Sequence, residues 1–477
     1  MELTHEHYYR GLLARDRRFD GVFYVGVTST KIYCRPICPA KTPKENHCRF
    51  YKSAAEAESQ GFRPCLKCRP ELAPGLAPVD ASKRLAKCAL YMIQDQENED
   101  NRSIATIANS LGISSRHLRR ILQTEYGVSP IELAKTHRLL TAKRLLTETD
   151  VSLTEIAFAS GFQSIRSFNH LFKKQYGMSP SKLRSQTNKK NIAEIKLKLT
   201  YRPPIAWDEM ITYFKERSIK GVEMVRDNQY FRTVKINNHK GWLKVYKKEE
   251  QIYLECAPEL LPVLSTLVGK VNNLFDLDCH PELIIEHLSQ DRKLSKLVKA
   301  KPGLRIPGSF DEFETCIRAI AGQLVSVKSA TNITGKFVDA FGERIKTPYP
   351  ELDRIAPTPE IVSSIEEDQI ASKGFTRIKA IALKGLAERL KNNEINLRYA
   401  ISPELLFEQL SEIKGIGPWT ANYLAMRILR DPDAFPAEDL GVKKALNLKN
   451  KKEIVEAAKS WQPWRAYAAI YLWHSLG

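Results

Sequence analysis

Four cysteines constrain the start of this chain more than any other feature. Cys34 and Cys38 form a C-x3-C pair, Cys65 and Cys68 form a C-x2-C pair, and 26 residues lie between the pairs. Four thiolates at such spacing can close a tetrahedral cage around zinc, and a segment of about 80 residues needs such a staple because its own core is small. The chain carries nine cysteines. An odd count, in a chain whose first residues lack the basic-then-apolar layout of a secretory signal, speaks against a disulfide framework. The expected location is cytoplasmic, and no apolar run is long enough to span a membrane. Cys48, Cys88, Cys256, Cys279 and Cys316 read as small buried apolar residues.

A chain of 477 residues is too long for one ordinary core. Its formal charge of +19 points to a polyanionic partner. The charge is uneven: residues 1–80 hold 13 Lys/Arg against 9 Asp/Glu, residues 81–190 hold 18 against 9, and the remainder 43 against 37. The middle segment is therefore the most basic for its length, where it would attract phosphate.

That segment contains a repeat. SIATIANSLGISSRHLRRILQTEYGVSP (103–130) aligns with SLTEIAFASGFQSIRSFNHLFKKQYGMSP (152–180) with one residue inserted. Ile104, Ile107 and Ala108 match Leu153, Ile156 and Ala157 at helical spacing. Gly112 and Gly161 stand where a tight turn between helices needs positive φ. Leu118, Ile121 and Leu122, and Phe168, Leu171 and Phe172, define the buried side of each second helix. Two helix-turn-helix units joined by a linking helix near 131–147 follow. The pattern resembles the DNA-binding domain of AraC-type regulators, whose second helices enter successive major grooves. On that resemblance the base-readout candidates are Ser115, Arg116, Arg119 and Arg120, then Ser164, Arg166, Asn169 and His170.

The text around the cysteines, TSTKIYCRPICPAKTP and GFRPCLKCRPE, closely resembles the zinc domain of the Ada family. The resemblance implies that Cys34 accepts a methyl group from a methylphosphotriester of the DNA backbone, while Cys38, Cys65 and Cys68 are ligands only. Zinc would keep Cys34 a thiolate, the nucleophilic form. Four thiolates on one divalent cation repel phosphate. Methylation removes one negative charge, so repair would strengthen DNA binding. Arg35, Arg63 and Arg69 beside the ligands are candidate phosphate contacts.

The polar run QTNKKN (186–191) reads as a linker. Residues 193–300 mix strand-like runs (IKLKLTY, FRTVKI, WLKVY, IYLEC) with helical ones, which suggests an α+β domain. YRPPIAWDEM and LFDLDCHPELI resemble the N-terminal domain of AlkA-type 3-methyladenine glycosylases. The resemblance strengthens with PGLRIPGSFDEFETCIRAIAGQLVSV, LSEIKGIGPWTANYLAMRIL, DPDAFPAEDLGVKKAL and WQPWRAYAAIYLW. Gly415 and Gly417 would free backbone N–H groups at a helix start to meet a DNA phosphate, and the loop is a candidate site for a monovalent or divalent cation. Asp439 follows Gly417 by 22 residues within DPDAF-x-x-x-D; the combination is a helix-hairpin-helix glycosylase signature. Asp439 could also cap the helix that follows it. As catalyst its carboxylate would stabilise the positive charge that builds on the sugar during N-glycosidic cleavage; its neighbour Glu438 reads as secondary.

Relatives with lyase activity place a lysine just before the Thr-Ala pair, where this chain has Trp419 before Thr420 and Ala421. Hydrolysis without strand cleavage is the expectation. Three cysteines after residue 190 are too few for the iron–sulfur cluster of the endonuclease III branch. Trp419, Tyr423 and Trp464 are the pocket aromatics the resemblance implies, with Trp461, Trp473, Tyr467 and Tyr471 assigned to the core. The AlkA resemblance implies that Leu324, in the GQLVSV stretch, wedges into the gap left by the displaced base, and Gln323 beside it is a base-pocket candidate that would probe the opposite face or the lesion. The P-C-H-R motif of O-alkylguanine methyltransferases is absent from the sequence, and DCHPE at 278–282 departs from it.

The expected architecture is multidomain and mainly α with α+β parts. A zinc-bound α/β domain occupies 1–78, an AraC-type double helix-turn-helix domain 79–188, an α+β domain 192–302, and an all-α helix-hairpin-helix glycosylase domain 303–477. The expected partners are alkylated and promoter double-stranded DNA, and RNA polymerase during activation; the chain is expected to be a monomer with no membrane partner. The competing reading is a transcription regulator with an inactive glycosylase-like scanning module. Asp439, Trp419 and the hairpin glycines argue against it.

Overall fold

The computed structural model describes residues 5–16, 19–73, 81–94, 103–185, 195–397 and 403–476. The expected linker at 186–191 and the expected boundaries at 78 and 188–192 lie outside them. The chain forms two compact bodies: Met1–Pro203 with Lys248–Gly269 and Leu277–Cys279, and Pro204–Lys247 with Lys270–Asp276 and His280–Gly477. Residues 192–302, expected as one domain, contribute to both. Among the described residues no helix is long and apolar enough to cross a membrane.

In the first body a four-stranded sheet has the order β3-β1-β2-β4, with β1 Tyr24–Val27, β2 Ile32–Cys34, β3 Cys48–Tyr51 and β4 Arg63–Pro64. β1 is antiparallel to β2 and β3, whereas β2 and β4 run parallel with Tyr33 opposite Pro64. The parallel pair explains how distant cysteines meet. Cys34 ends β2 and Cys65 follows β4, and the Cys65 N–H donates to the Tyr33 carbonyl at 3.0 Å. The six-residue helix Ala54–Ser59 is too short to hold itself. Ser53 caps it, accepting from the Glu56 N–H at 3.0 Å and donating its hydroxyl to the Tyr126 carbonyl at 2.5 Å.

Both helix-turn-helix units form as the repeat predicts: Ile104–Ser110 with Ser115–Tyr126, and Leu153–Ala159 with Ile165–Tyr176, joined by the linking helix Pro130–Glu148. Gly112 and Gly161 adopt φ of 61° and 81°, and Gly127 and Gly177 close the second helices in the same left-handed region. Ser129 and Glu132 form a capping box at the linking helix, and Ser152 and Glu155 form one at the third unit helix. Leu118, Ile121 and Leu122, and Phe168 and Phe172, are buried. Strand Ile195–Leu199 pairs antiparallel with Gln251–Cys256 in the same body.

The second body contains the antiparallel meander Glu223–Arg226, Gln229–Ile236 and His239–Lys248. Its first turn uses Asp227 and Asn228 at positive φ, the conformation a two-residue hairpin requires. The main helical core joins Glu312–Ala321, Arg377–Lys391, Pro403–Ser411 and Pro418–Leu424 through Ile317, Ile320, Leu383, Leu386, Leu406, Leu410 and Leu424. Cys316 sits fully buried in it. Cys48, Cys256 and Cys279 are buried as well, while Cys88 is half-exposed.

Candidate functional site

The hairpin runs from helix Pro403–Ser411 through a turn into helix Pro418–Leu424. Its two glycines do different work. Gly415 has φ of +93°, and a Cβ there would lie 2.8 Å from the Ile378 carbonyl oxygen. Conformation and packing both demand glycine. Gly417 has φ of −101°, and a Cβ would meet nothing within 4 Å. Its lack of a side chain leaves the approach to the helix start open. The helix then widens into a π-type turn, Ala425–Leu429, which buries Arg427. Arg430 follows in a left-handed conformation and pairs with Asp276, which also accepts from the Tyr467 hydroxyl at 2.8 Å.

Within the DPDAF segment Asp433 clamps Arg465 by two contacts of 2.7 Å. Asp439, six residues on, caps helix Leu440–Leu446, its Oδ1 accepting from the Val442 N–H at 3.0 Å. The cap and the site coexist. Trp419 donates its indole N–H to Oδ2 at 2.8 Å, and Trp473 donates to Oδ1 at 2.7 Å. Three N–H donors thus orient one half-buried carboxylate. Glu438 points to Lys451 instead, at 2.6 Å.

Asp439 lies on the wall of a cavity of about 990 Å³, also lined by Trp419, Tyr423, Trp473, Tyr213 and Leu324. Trp419 and Tyr423 stack with ring centres 5.3 Å apart, and Trp473 lies 6.4 Å from Tyr423. Burial pushes the Tyr423 hydroxyl up to about 12, and Arg427 donates to it at 2.5 Å and also to the Tyr213 hydroxyl. Burial would raise Tyr213 too, but the guanidiniums of Arg427 and Arg217 outweigh it and lower that hydroxyl. Deeper in, Arg232 and Arg318 pair with Glu314 at 2.8 and 3.1 Å, and Arg318 also with Glu223, so these buried charges are satisfied among themselves. Lys443 also lines the cavity.

Two aromatic assignments exchange places. Trp464 does not line the cavity; it is buried and meets Tyr467 edge-on at 5.9 Å. Trp473, assigned to the core, is the pocket residue. Trp461, Tyr467 and Tyr471 are buried as expected. Leu324 is no core residue: it is 94% exposed, with φ of +57°, in the loop between Glu312–Ala321 and Val327–Phe341. A bulky residue in that conformation at a cavity rim is a site of stored strain and a functional pointer. Gln323 donates its amide to the Gly415 carbonyl at 2.9 Å and to the Thr420 hydroxyl at 3.0 Å, so it fastens this loop to the hairpin.

In the first body the sulfur atoms of Cys34, Cys38, Cys65 and Cys68 lie within 4.8 Å of one another, a fit to one tetrahedral metal ion. Cys34 is half-exposed and the other three are buried. The flanking arginines depart from the expectation. Arg35 is buried, paired with Asp20 and bound to the Cys68 carbonyl at 3.1 Å, while its backbone N–H donates to the Cys68 sulfur at 3.3 Å. Arg69 contacts Glu71 at 3.1 Å, and Glu148 at 2.9 Å and Thr147 at 2.8 Å on the linking helix. Arg35 is thus committed to Asp20 inside the fold, whereas Arg69, partly exposed, is engaged by Glu71 and Glu148. Arg63 remains half-exposed.

On the readout helices Arg116, Arg119, Arg120, Arg166, Asn169 and His170 are exposed and Ser115 is half-exposed. Ser164 is engaged as a cap, accepting from the Ser167 N–H at 3.1 Å.

Comparison with known proteins follows the same division. Residues 7–71 match the family model for the metal binding domain of Ada, 107–186 that for a helix-turn-helix domain, 196–311 the AlkA N-terminal domain, and 317–463 the HhH-GPD superfamily of base excision DNA repair proteins. The DNA-3-methyladenine glycosylase 2 of Escherichia coli K12 is 31% identical over 281 residues, covering 58% of this chain and 97% of that protein. A 3-methyladenine DNA glycosylase structure from Archaeoglobus fulgidus shares the fold of the same part, with a TM-score of 0.50 at 22% identity over 58% of this chain and 96% of that one. The probable bifunctional transcriptional activator/DNA repair enzyme AlkA of Mycobacterium tuberculosis is 32% identical over 481 residues, covering 99% of this chain and 96% of that protein. Identity of that extent, across all four segments, makes this chain a member of the family of bifunctional transcriptional activator/DNA repair enzymes of the AlkA type.

Proposed function

We propose that this chain repairs alkylated DNA by two separate chemistries: hydrolytic excision of alkylated bases at Asp439, and irreversible methyl transfer to Cys34. The observation that carries the first is the Asp439 carboxylate, held by Trp419, Trp473 and Val442 on the wall of an aromatic cavity. Leu324 enters the base stack and the displaced nucleotide occupies the cavity. Alkylated purines of the 3-methyladenine type are electron-poor, so the faces of Trp473 and Tyr423 attract them, by roughly 0.5–2 kcal/mol when the base is cationic. As the bond from C1′ to the base nitrogen breaks, its electrons leave with the base and positive charge develops on the sugar. Asp439 stabilises that charge and orients the water whose oxygen bonds to C1′ as one of its protons is lost to solvent. In this reading the hairpin loop meets a DNA phosphate together with a monovalent or divalent cation.

Four convergent thiols suit zinc, which when bound to Cys34, Cys38, Cys65 and Cys68 would keep them deprotonated. The Cys34 sulfur, the most accessible of the four, attacks the methyl carbon of a methylphosphotriester. A sulfur–carbon bond forms, the carbon–oxygen bond breaks, and the phosphate leaves as an ordinary diester. The centre loses one negative charge, DNA repels it less, and the helix-turn-helix units then hold promoter DNA for RNA polymerase. The protein acts as a cytoplasmic monomer in this scheme.

Base release from methylated DNA tests the excision reading. Wild type should free methylpurines and leave intact abasic strands, whereas Asp439→Asn, which still caps the helix, should free almost none. Equal release by the variant would overturn the role of Asp439. Borohydride should trap no protein–DNA adduct; a trapped adduct lost in Lys443→Gln would replace hydrolysis with lyase chemistry.

A further inference from the structure

The second body carries a groove of about 630 Å³ that excision chemistry leaves unused. It lies between residues 216–220, at the end of helix Trp207–Arg217, and one face of helix Val327–Phe341. Lys220, Lys328 and Lys336 line it and are exposed, and among the described residues none of them pairs with a carboxylate. The groove has two acids, and both are engaged by arginines: Glu216 with Arg217 at 2.9 Å and Asp339 with Arg354 at 2.9 Å. Three ammonium groups therefore face a concave surface with no neutralising contact of their own. Lys328 and Lys336 stand eight residues apart, about 12 Å along a helix, which is roughly two phosphate spacings along one strand's backbone.

Two further observations give the groove a direction. Val327 and Thr331 line both the groove and the base cavity, so the first turns of helix Val327–Phe341 form the wall between them. Leu324 lies two residues before Ser326, the N-cap of that helix. The wall therefore adjoins the position that Leu324 takes in the base stack under the excision reading. Gly335 floors the groove in mid-helix, where glycine costs about 1 kcal/mol relative to alanine. A Cβ there would touch only Lys220, at 3.8 Å, so packing does not demand the glycine.

We propose that this groove is a track for the phosphodiester backbone adjoining the displaced nucleotide, supplying phosphate contacts additional to those of the hairpin. The proposal rests on the excision reading for its geometry, but its test does not require turnover. The measurement is binding of the full chain to a labelled duplex with one abasic analogue, over excess undamaged duplex to occupy the helix-turn-helix units, across about 50–200 mM salt. In K220Q/K328Q/K336Q the slope of log Kd against log salt should fall by about 2 to 3. The control K296Q/K299Q/K391Q should leave both the slope and single-turnover release at saturating DNA unchanged. An unchanged slope in the groove variant, or an equal fall in the control, overturns the proposal. Loss of base release in wild type would instead sink the excision reading and leave the slope readable.

Discussion

Arg35 and Arg69 stand next to cysteines of the metal centre, while Lys220, Lys328 and Lys336 line a groove beside the base cavity; in the fold both sets are basic residues near a site. In the first body the arginines are tied to Asp20, Glu71 and Glu148, so they build the protein. In the second body the acids of the groove are tied to other arginines and the lysines stay free to act outward. Arg35 and Arg69 thus serve architecture, whereas the groove lysines are placed for the proposed phosphate contact. The lesson is that a basic residue's role depends on where the nearest carboxylates are committed.

The largest expected effect breaks the architectural side. Cys38→Ser, or zinc removal by a chelator, should unfold residues 5–73, since structural zinc in small domains is worth about 10–16 kcal/mol; zinc stoichiometry and limited proteolysis would show it, while base release per folded second body persists. Next, Trp473→Phe removes one of the three donors to Asp439 and should slow single-turnover base release about 100-fold. Trp464→Phe, outside the cavity, should leave the rate of the folded protein near wild type. Gly415→Ala should destabilise the second body by about 1–3 kcal/mol in denaturant unfolding, against less than about 0.5 kcal/mol for Gly417→Ala. The smallest effect sharpens the contrast among the arginines. Arg63→Gln should lower the salt slope of DNA binding by about 1, whereas Arg69→Gln should leave the slope alone and cost up to about 1 kcal/mol of stability.

What the residues alone could disclose follows from how local the cause is. The helix-turn-helix units were legible because caps, left-handed glycines and apolar spacing all act within one or two turns. The cysteine quartet was legible as a ligand set, yet the parallel pairing of β2 with β4 that brings Cys34 to Cys65 leaves no short-range pattern. Asp439 was legible from its distance to the hairpin glycines. Trp473 was not, because on helix Arg465–His474 it sits among buried residues such as Tyr467 and Tyr471, and helical spacing says which residues share a face but not what lies opposite it. Trp464 failed for the converse reason: the resemblance implied a pocket residue there, and only the contact with Tyr467 shows it packed. Arg35 depends on Asp20, 15 residues away, and Arg69 on Glu148, 79 residues away, as well as on nearby Glu71; the two distant partners lie beyond any local motif.

In the proposed scheme one chain holds two independent repair chemistries. One experiment addresses it directly: DNA carrying both methylpurines and methylphosphotriesters is incubated with wild type, Asp439→Asn and Cys34→Ala, and freed bases and the mass of the Cys34 peptide are read from the same samples. Asp439→Asn should lose base release but gain one methyl on Cys34, while Cys34→Ala should release bases and gain none. Loss of both readouts in either folded variant, or methyl on a different cysteine in wild type, would contradict it.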